Sequence, residues 1–351
     1  MIKARGYGVV SGDKTVKPMA IERSPPKPNE LLIDVLYCGI CHSDVHIIDD
    51  AWGFTLYPLI PGHEAVGRVL SVGSSVTSFK TGDIVGVGCM IDSCLKCPAC
   101  KEGWENHCEA STGPTMTYGG YLVPDGSGFN TFGAWSDKLV VREEFVLRIP
   151  EGMDLAKAAP LMCPGVATYG PLKRFDIKKG DKIGIVGVGG PGHLAIMMAK
   201  AMGAEVTAFT THEWKCDAAL KLGAHNVVLS TDDEAMKKYN NYFHHILSTI
   251  PNAFDPMPYL ALLHRRGTMT VMGLLGPYKN IINNIALAAK GLSLTGSMIG
   301  SIGDTQEVLE FCAKHEIVPI IEMIKLEQIN GAIARLKKAD VQFRFVIDLK
   351  A

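Results

Sequence analysis

The chain has 351 residues, 47% of them hydrophobic and 20% charged, with a formal net charge of -1 at pH 7. That length exceeds what one hydrophobic core organises comfortably, so two domains are expected. The balanced charge excludes a general attraction to nucleic acid or to an anionic membrane, and no run of 18 consecutive apolar residues occurs.

The opening stretch Met1–Val10 carries Lys3 and Arg5 but no apolar signal core, so a cytoplasmic protein is expected. Up to Pro150 the chain reads as short β-runs: Leu31–Tyr37, Gly67–Val72, Ile84–Gly88 and Leu139–Val141. Each is rich in Val, Ile and Leu and bounded by Gly, Pro, Asn, Asp or Ser. From about Asp154 the texture changes. Lys182–Val188 reads as a buried strand, followed by a glycine-rich turn and a helix over Leu194–Met202. Glu205–Phe209 reads as a strand, Cys216–Leu222 as a helix and Val227–Leu229 as a third strand. Further strands are expected at His245–Ser248, Thr268–Met272 and Leu292–Gly296, then a helix over Asp304–Lys314 and a closing strand Arg344–Ile347. Strands alternating with helices indicate βαβ units and a parallel sheet.

The chain holds 10 cysteines, which in a reducing cytosol point to metal rather than to a disulfide framework. Cys94, Cys97, Cys100 and Cys108 form C-x2-C-x2-C-x7-C. Two-residue gaps bring successive thiolates onto one ion, and a distant fourth closes a tetrahedron without an open position, as in a structural zinc site. An iron–sulfur cluster is the competing reading. Binding of such an ion contributes roughly 10–16 kcal/mol to ordering its segment.

A second constellation is spread over three segments: Cys38-Gly-Ile-Cys41-His42-Ser43-Asp44-Val45-His46, Pro61-Gly62-His63-Glu64, and Leu161-Met162-Cys163-Pro164-Gly165. Taken singly, Cys38 and Cys41 read as a redox pair and His63 as a packed core histidine. Together they offer thiolates, an imidazole and an acid, which suits a three-ligand catalytic zinc with a free fourth position. These segments and the quartet, in this order, resemble the zinc-dependent medium-chain alcohol dehydrogenase superfamily, especially its cinnamyl-alcohol-dehydrogenase-like branch. The resemblance runs from Cys38 to the tail at Asp348. It implies an α/β chain with a GroES-like β-rich catalytic domain, residues 1–154 and 298–351, and a Rossmann doubly wound parallel-sheet cofactor domain, residues 155–297.

By that resemblance Cys41, His63 and Cys163 ligate the catalytic zinc, and Glu64 is an alternative fourth ligand. Cys38 matches no ligand position and reads as a packed thiol. Asp44 falls where the family holds the ligand histidine with a carboxylate, a role with clear physical sense. Ser43 and His46 match a proton relay, with Ser43 beside the substrate oxygen and His46 nearest solvent. A hydroxyl both donates and accepts, and an imidazole titrates near neutrality.

Gly187-Val188-Gly189-Gly190-Pro191-Gly192 supplies G-x-G-x-x-G directly after a buried strand and before a helix, the context that makes this motif a dinucleotide site. Binders of NAD usually end the next strand with an acid, but here Thr210 stands there. Thr211, His212 and Lys215 follow, offering groups that suit a 2′-phosphate, so NADP(H) is expected. The resembled branch commonly has a serine where this chain has His212. Resemblance adds Thr168, Thr249-Ile250, Gly273 and Ser297-Met298-Ile299 as cofactor contacts, with the threonines presenting hydroxyl or backbone groups and Ser297 and Ile299 along the nicotinamide. His42, directly after a ligand, is expected to reach toward the pyrophosphate.

Trp52, Tyr57, Leu95, Met116 and Tyr118 are candidates for an apolar substrate wall. The expected reaction interconverts primary alcohols, aromatic or medium-chain aliphatic, and their aldehydes. A homodimer is expected, since relatives pair their cofactor domains and Leu292–Gly296 is an apolar strand that needs covering. A polyol or sugar dehydrogenase of the same superfamily is the alternative enzyme. A zinc-free quinone reductase would lack Cys41, His63 and the quartet, and a redox or zinc sensor without turnover would not need every catalytic piece.

Overall fold

The structure is a computed structural model that describes residues 1–110, 113–119 and 130–351. The chain forms two compact units. The first comprises Met1–Cys163, Gly300–Lys314 and Val318–Ala351, and the second comprises Pro164–Ile299 with His315–Ile317.

In chain order the first unit opens with β1 (Ile2–Gly8) and β2 (Lys17–Arg23), an antiparallel pair. Then come β3 (Glu30–Ile40), the short helix α1 (His42–Ile48), β4 (Ala65–Val72) and β5 (Ile84–Val87). A small ribbon β6 (Met90–Asp92) pairs with β7 (Thr115–Met116), and the single turn α2 (Pro98–Lys101) lies between them in the chain. β8 (Lys138–Arg142), β9 (Val146–Arg148) and α3 (Leu155–Ala158) complete this part.

The second unit contains α4 (Pro164–Arg174), β10 (Lys182–Val186), α5 (Gly190–Ala201), β11 (Glu205–Thr210), α6 (Cys216–Leu222) and β12 (Asn226–Leu229). It continues with α7 (Asp233–Lys237), β13 (Phe243–Ser248), α8 (Met257–Leu262), β14 (Leu263–Met272), α9 (Asn284–Lys290) and β15 (Ser293–Ser297). Its six strands lie in the order β12-β11-β10-β13-β14-β15, all parallel. The chain then returns to the first unit through α10 (Ile302–Lys314), β16 (Ile321–Lys325), α11 (Ile329–Lys337) and β17 (Arg344–Asp348).

β3 organises the first unit. Leu31, Ile33, Val35 and Ile40 are fully buried along it, as expected of a strand covered on both faces. β4 pairs along one edge, while β8 takes the first half of the other edge and β17 the second half. The sheet runs β16-β17-β3-β4-β5-β9, with β8 as an additional partner of β3. Residues 155–163, expected with the cofactor domain, belong to this unit. α3 and the turn Ala159–Met162 pack on β3, β4 and β17, and Met162 fills the space left open by Gly86 of β5. A Cβ at position 86 would lie 2.5 Å from the Met162 methyl.

In the second unit the runs expected as strands and helices take those forms. Val186, Phe209, Ile246, Leu260, Leu263 and Met269 are buried together, with Phe209 edge-on to Phe243 at 5.6 Å. β15 is the edge strand, and its residues are half-buried or exposed. Among the described residues no helix is long and apolar enough to cross a membrane.

His245 of β13 is buried, with its ring 4.7 Å from that of Phe175 and no partner for Nε2 among the described residues. Burial disfavours the imidazolium and lowers its pKa to about 3. The unfolded chain therefore binds this proton first, so the contribution to stability is full above the ordinary imidazole pKa and is lost as pH falls toward about 3. His245→Leu is expected to flatten the pH dependence of unfolding free energy between roughly pH 6 and 4 by ~1.4 kcal/mol per unit. Parallel denaturant titrations of both proteins check this, and identical slopes would refute it.

Candidate metal centre and nucleotide loop

Three strand ends in the first unit converge on one buried cluster. β3 stops at Ile40, β4 starts at Ala65 and β17 starts at Arg344, with Phe345 opposite Ile40 and Cys38 opposite Ala65. Cys41 directly follows β3, His63 and Glu64 directly precede β4, and the turn packed over the sheet delivers Cys163. One ligand atom from each of Cys41, His63, Glu64 and Cys163 lies within 4.8 Å of the others, and all four residues are buried. The two sulfurs are 3.8 Å apart. Zinc–sulfur bonds of about 2.3 Å at a tetrahedral angle require a sulfur–sulfur edge of about 3.8 Å, so the donor set and its spacing fit zinc.

The charges explain who shares protons here. Cys163 donates to Cys41, which makes Cys41 the favoured thiolate, well below its ordinary pKa, and holds Cys163 well above. Burial pushes Glu64 up to about 8 against the pull of Arg344. Arg344, itself buried, donates to Glu64 Oε1, while Oε2 has no hydrogen-bond partner among the described residues. The oxygen that faces His63 Nε2, at 4.0 Å, is Oε1, and a carboxylate, two thiols and an imidazole gathered in one buried place are a donor set that suits zinc. Gly39 is dictated by this carboxylate, since a Cβ there would stand 1.9 Å from Oε2.

Asp44, fully buried on α1, braces the cluster from behind. Its Oδ2 accepts from the Cys41 amide at 2.7 Å, its Oδ1 accepts from the Gly62 amide at 3.1 Å, and Oδ1 faces His63 Nδ1 at 3.2 Å. Burial opposes charge on His63, but Asp44 outweighs it and raises the imidazole well above its ordinary pKa. With Nδ1 held by Asp44, Nε2 is the nitrogen left for a metal. Ser43 and His46 stand three residues apart on α1 and so share a face. Ser43 Oγ is 3.6 Å from Cys41 Sγ, and the His46 ring lies 5.5 Å from Trp52. His42, also on α1, is lowered to about 4 by burial.

The quartet forms a second group, its four ligand atoms also within 4.8 Å of one another. Cys94 and Cys100 sulfurs are 3.9 Å apart. Backbone amides of Lys96 and Cys97 donate to Cys94 Sγ, and those of Cys100 and Glu109 donate to Cys97 Sγ, at 3.3–3.5 Å. The amides of Lys96 and Cys97 lower Cys94 to about 6, whereas burial raises Cys100 to about 12. Amides aimed at sulfur favour thiolate, the form in which a metal binds.

The glycine motif occupies the turn between β10 and α5 in the second unit. Gly187 has φ +95°, which favours glycine, and a Cβ on Gly192 would be 1.9 Å from Gly187 O. At Gly189 a Cβ would meet nothing within 4 Å. One glycine turns the chain, one packs helix to strand and the middle one leaves room for a ligand to approach, which fits a dinucleotide pyrophosphate. Thr210, Thr249, Gly273 and Ser297 lie at the carboxyl ends of β11, β13, β14 and β15, the edge where such sheets bind ligands. Ile299 adopts φ +44°, a strained backbone for a β-branched residue.

Comparison with known proteins agrees with this geometry. The family described as the alcohol dehydrogenase GroES-like domain matches residues 27–151, and the zinc-binding dehydrogenase family matches residues 190–314. The aldehyde reductase YahK of Escherichia coli (strain K12) is 45% identical over 351 residues, 99% of this chain and 98% of its own. The chain belongs to the zinc-type alcohol dehydrogenases. Two solved cinnamyl-branch structures share its fold. The cinnamyl alcohol dehydrogenase SbCAD4 of Sorghum bicolor has a TM-score of 0.94 and 38% identity, covering 99% of this chain and 97% of that one. The CAD of Helicobacter pylori, complexed with NADP(H), has a TM-score of 0.91 and 38% identity, covering 99% of each.

Within this dehydrogenase the expected substrate-wall residues divide. The Tyr118 ring lies 5.4 Å from that of His63, with its hydroxyl bonded to Asp44, and Trp52 stacks on Phe54 at 5.6 Å beside His46. Phe54 is an aromatic the sequence reading missed; its two-residue spacing from Trp52 was the available signal. Met116 is half-buried in the β6–β7 ribbon. Tyr57 instead donates to Ile48 O at 3.3 Å, and Leu95 forms the left-handed corner between two quartet cysteines, with φ +51°. The hydroxyls of Thr168 and Thr249 are committed to backbone carbonyls, Pro164 O at 2.7 Å and Val186 O at 3.0 Å, so these residues do not present free hydroxyls. Cys38 is a packed thiol that reaches Gly39 O, with its pKa raised by burial. Arg344 was missed as a site residue altogether.

Asp44→Asn retains the shape but turns an amide NH2 toward groups that already donate. A tenfold to hundredfold loss of zinc affinity at the Cys41–His63–Cys163 site is expected, with little change in secondary structure. Competition against a chelator of known affinity measures it, and unchanged affinity would show that Asp44 merely packs.

Proposed function

We propose that this dehydrogenase is zinc-dependent and prefers NADP(H), interconverting primary alcohols, aromatic or medium-chain aliphatic, with their aldehydes. The observation that carries the reading is the buried Cys41–His63–Glu64–Cys163 set with sulfurs at 3.8 Å, adjoined on α1 by Ser43 and His46. Cys41, His63 and Cys163 would hold the catalytic ion, Glu64 would be its alternative ligand, and the quartet would hold a second, structural zinc. Bound zinc supplies Lewis acidity toward the substrate oxygen, and NADP(H) supplies or accepts the hydride.

The residues of the chain do the rest. Asp44 fixes the His63 tautomer, and Arg344 offsets part of the negative charge of Glu64 and the thiolates. The Ser43 hydroxyl, next to Cys41, can pass a proton to or from the substrate oxygen, and His46 can exchange it with solvent. Tyr118, Trp52 and Phe54 surround these groups with aromatic surface, which favours an apolar substrate and limits water. The absence of an acid at Thr210, followed by Thr211, His212 and Lys215, supports the NADP(H) preference.

Turnover of a panel of aldehydes and polyols, with NADPH and NADH compared by kcat/KM, tests the reading. Benzaldehyde or medium-chain aldehydes with NADPH should lead. Leading rates with polyols, or equal use of NADH, would overturn the substrate or cofactor part. Elemental analysis of dialysed protein should give about two zinc per chain; one zinc, or iron, would sink the metal assignment. Ser43→Ala should lower kcat by roughly 10²- to 10⁴-fold. His46→Ala should cost less, because water substitutes at the solvent end, and should flatten the pH profile of alcohol oxidation around neutrality. Zinc content should stay constant in both variants. A wild-type pH profile in His46→Ala, or full activity in Ser43→Ala, would show that the relay lies elsewhere.

A further inference from the structure

Asp44 is not alone in holding the segment that leads into His63. Residues 133–135 aim three successive amides at it: Gly133 N donates to Ile60 O at 2.7 Å, Trp135 N to Pro61 O at 2.9 Å and Ala134 N to Gly62 O at 2.9 Å. Gly133 permits this approach, since a Cβ there would stand 2.4 Å from Pro61 O. The carbonyls of the same stretch are gathered by one side chain. Arg23, the last residue of β2, donates from Nη1 to Phe132 O at 2.7 Å, and from Nη2 to Gly133 O at 3.2 Å and Ser136 Oγ at 2.8 Å. Ser136 Oγ in turn donates to Gly133 O at 2.7 Å. Burial opposes the guanidinium charge and lowers its pKa to about 10 against the support of Asp137, and Nε has no hydrogen-bond partner among the described residues. A cation drawn this far out of water is costly, and what it meets here is backbone.

Two peptide groups carry the pull of the guanidinium toward the metal centre. The peptide joining Phe132 to Gly133 accepts from Arg23 and donates to Ile60 O, and the peptide joining Gly133 to Ala134 accepts from Arg23 and donates to Gly62 O. Hydrogen bonds linked in this way polarise and strengthen one another. Gly62 O belongs to the peptide whose nitrogen is that of His63, while the Gly62 amide donates to Asp44 Oδ1. Gly62, with φ +101°, is thus held at its N–H by a carboxylate and at its C=O, through one peptide, by a guanidinium. We infer that Arg23 is a positioning residue for His63: by fixing the peptides of residues 132–134 it sets how the imidazole stands beside Cys41 and Cys163. The inference rests on the reading of those three residues as the holders of a metal ion. It calls for arginine in particular, because a planar fork reaches Phe132 O, Gly133 O and Ser136 Oγ together, whereas an ammonium is a point charge on a flexible stem.

The test compares wild type, Arg23→Lys and Arg23→Ala as full-length, zinc-loaded protein. Zinc is withdrawn with increasing concentrations of a chelator, and the cysteines it releases are identified by iodoacetamide alkylation and peptide mass mapping. Wild type should show two separable releases, one of Cys41 with Cys163 and one of the quartet. In both variants Cys41 and Cys163 should become reactive at a roughly tenfold lower chelator concentration, the low end for residues that hold a metal ligand in place, while the quartet keeps its wild-type curve. Turnover of the zinc-loaded variants should lose kcat with KM little changed, as expected when the centre is misaligned rather than the substrate surface altered. Arg23→Lys keeps the charge and most of the stem, so the comparison stands even where Arg23→Ala fails to fold. Equal weakening at both cysteine groups, or a lowered unfolding midpoint with a wild-type alkylation curve, would show that Arg23 only supports the fold and overturns the inference. Failure of zinc to protect Cys41 and Cys163 in wild type overturns the metal reading itself.

Discussion

The metal-binding half of this enzyme depends on one buried carboxylate. Asp44 carries three interactions at once: two backbone amides, from Cys41 and Gly62, and the Nδ1 side of His63. A buried charge is tolerated only where it is hydrogen-bonded and paired, and here each partner is also a piece of the centre. One amide belongs to Cys41, the other to Gly62 just before His63, and the third partner is His63 itself. Two loops separated by some twenty residues are thereby locked to one another.

The glycines around it follow from the same crowding. Gly62 must expose its amide to Asp44 while turning sharply, with φ +101°, and a Cβ there would stand 2.5 Å from the Trp135 ring. Gly39 must leave room for the Glu64 carboxylate. A side chain at either position would press on Trp135 or on the Glu64 carboxylate. Side chains held this closely need support from neighbours whose own positions are fixed.

Much of this was legible in the sequence, and the unreadable part has a common cause. The thiols, the glycine loop and the βαβ alternation announce themselves because their logic is local: short spacings, a 2-residue or 3.6-residue period, a turn that needs glycine. Arg344 lies 280 positions from Glu64, and in sequence it looks like the polar start of an apolar strand. The clue was that an arginine heading Phe345–Ile347, in a strand destined for the sheet interior, had to find an anion. Leu95 carries a second feature that composition hides. Its apolar side chain suggests a substrate wall, and its backbone is left-handed between Cys94 and Cys97, which the residue type does not announce. Thr168 and Thr249 likewise spend their hydroxyls on their own backbone, which composition cannot reveal.

Charge balance connects the centre to the end of the chain. Two thiolates, Glu64 and Asp44 would place four negative charges in a volume from which water is largely excluded, and like charges at such range cannot all persist. Hydrogen bonds from Cys163 to Cys41 and Cys89 hold the Cys163 thiol well above its ordinary pKa, and burial raises Glu64 to about 8. Arg344 contributes the permanent cation, and burial opposes its charge less strongly than Glu64, Cys41 and Cys163 support it. That cation is placed by the pairing of β17 with β3, because Arg344 is the first residue of that strand. The charge balance of the cluster therefore rests on a residue held in place by the pairing of β17 with β3.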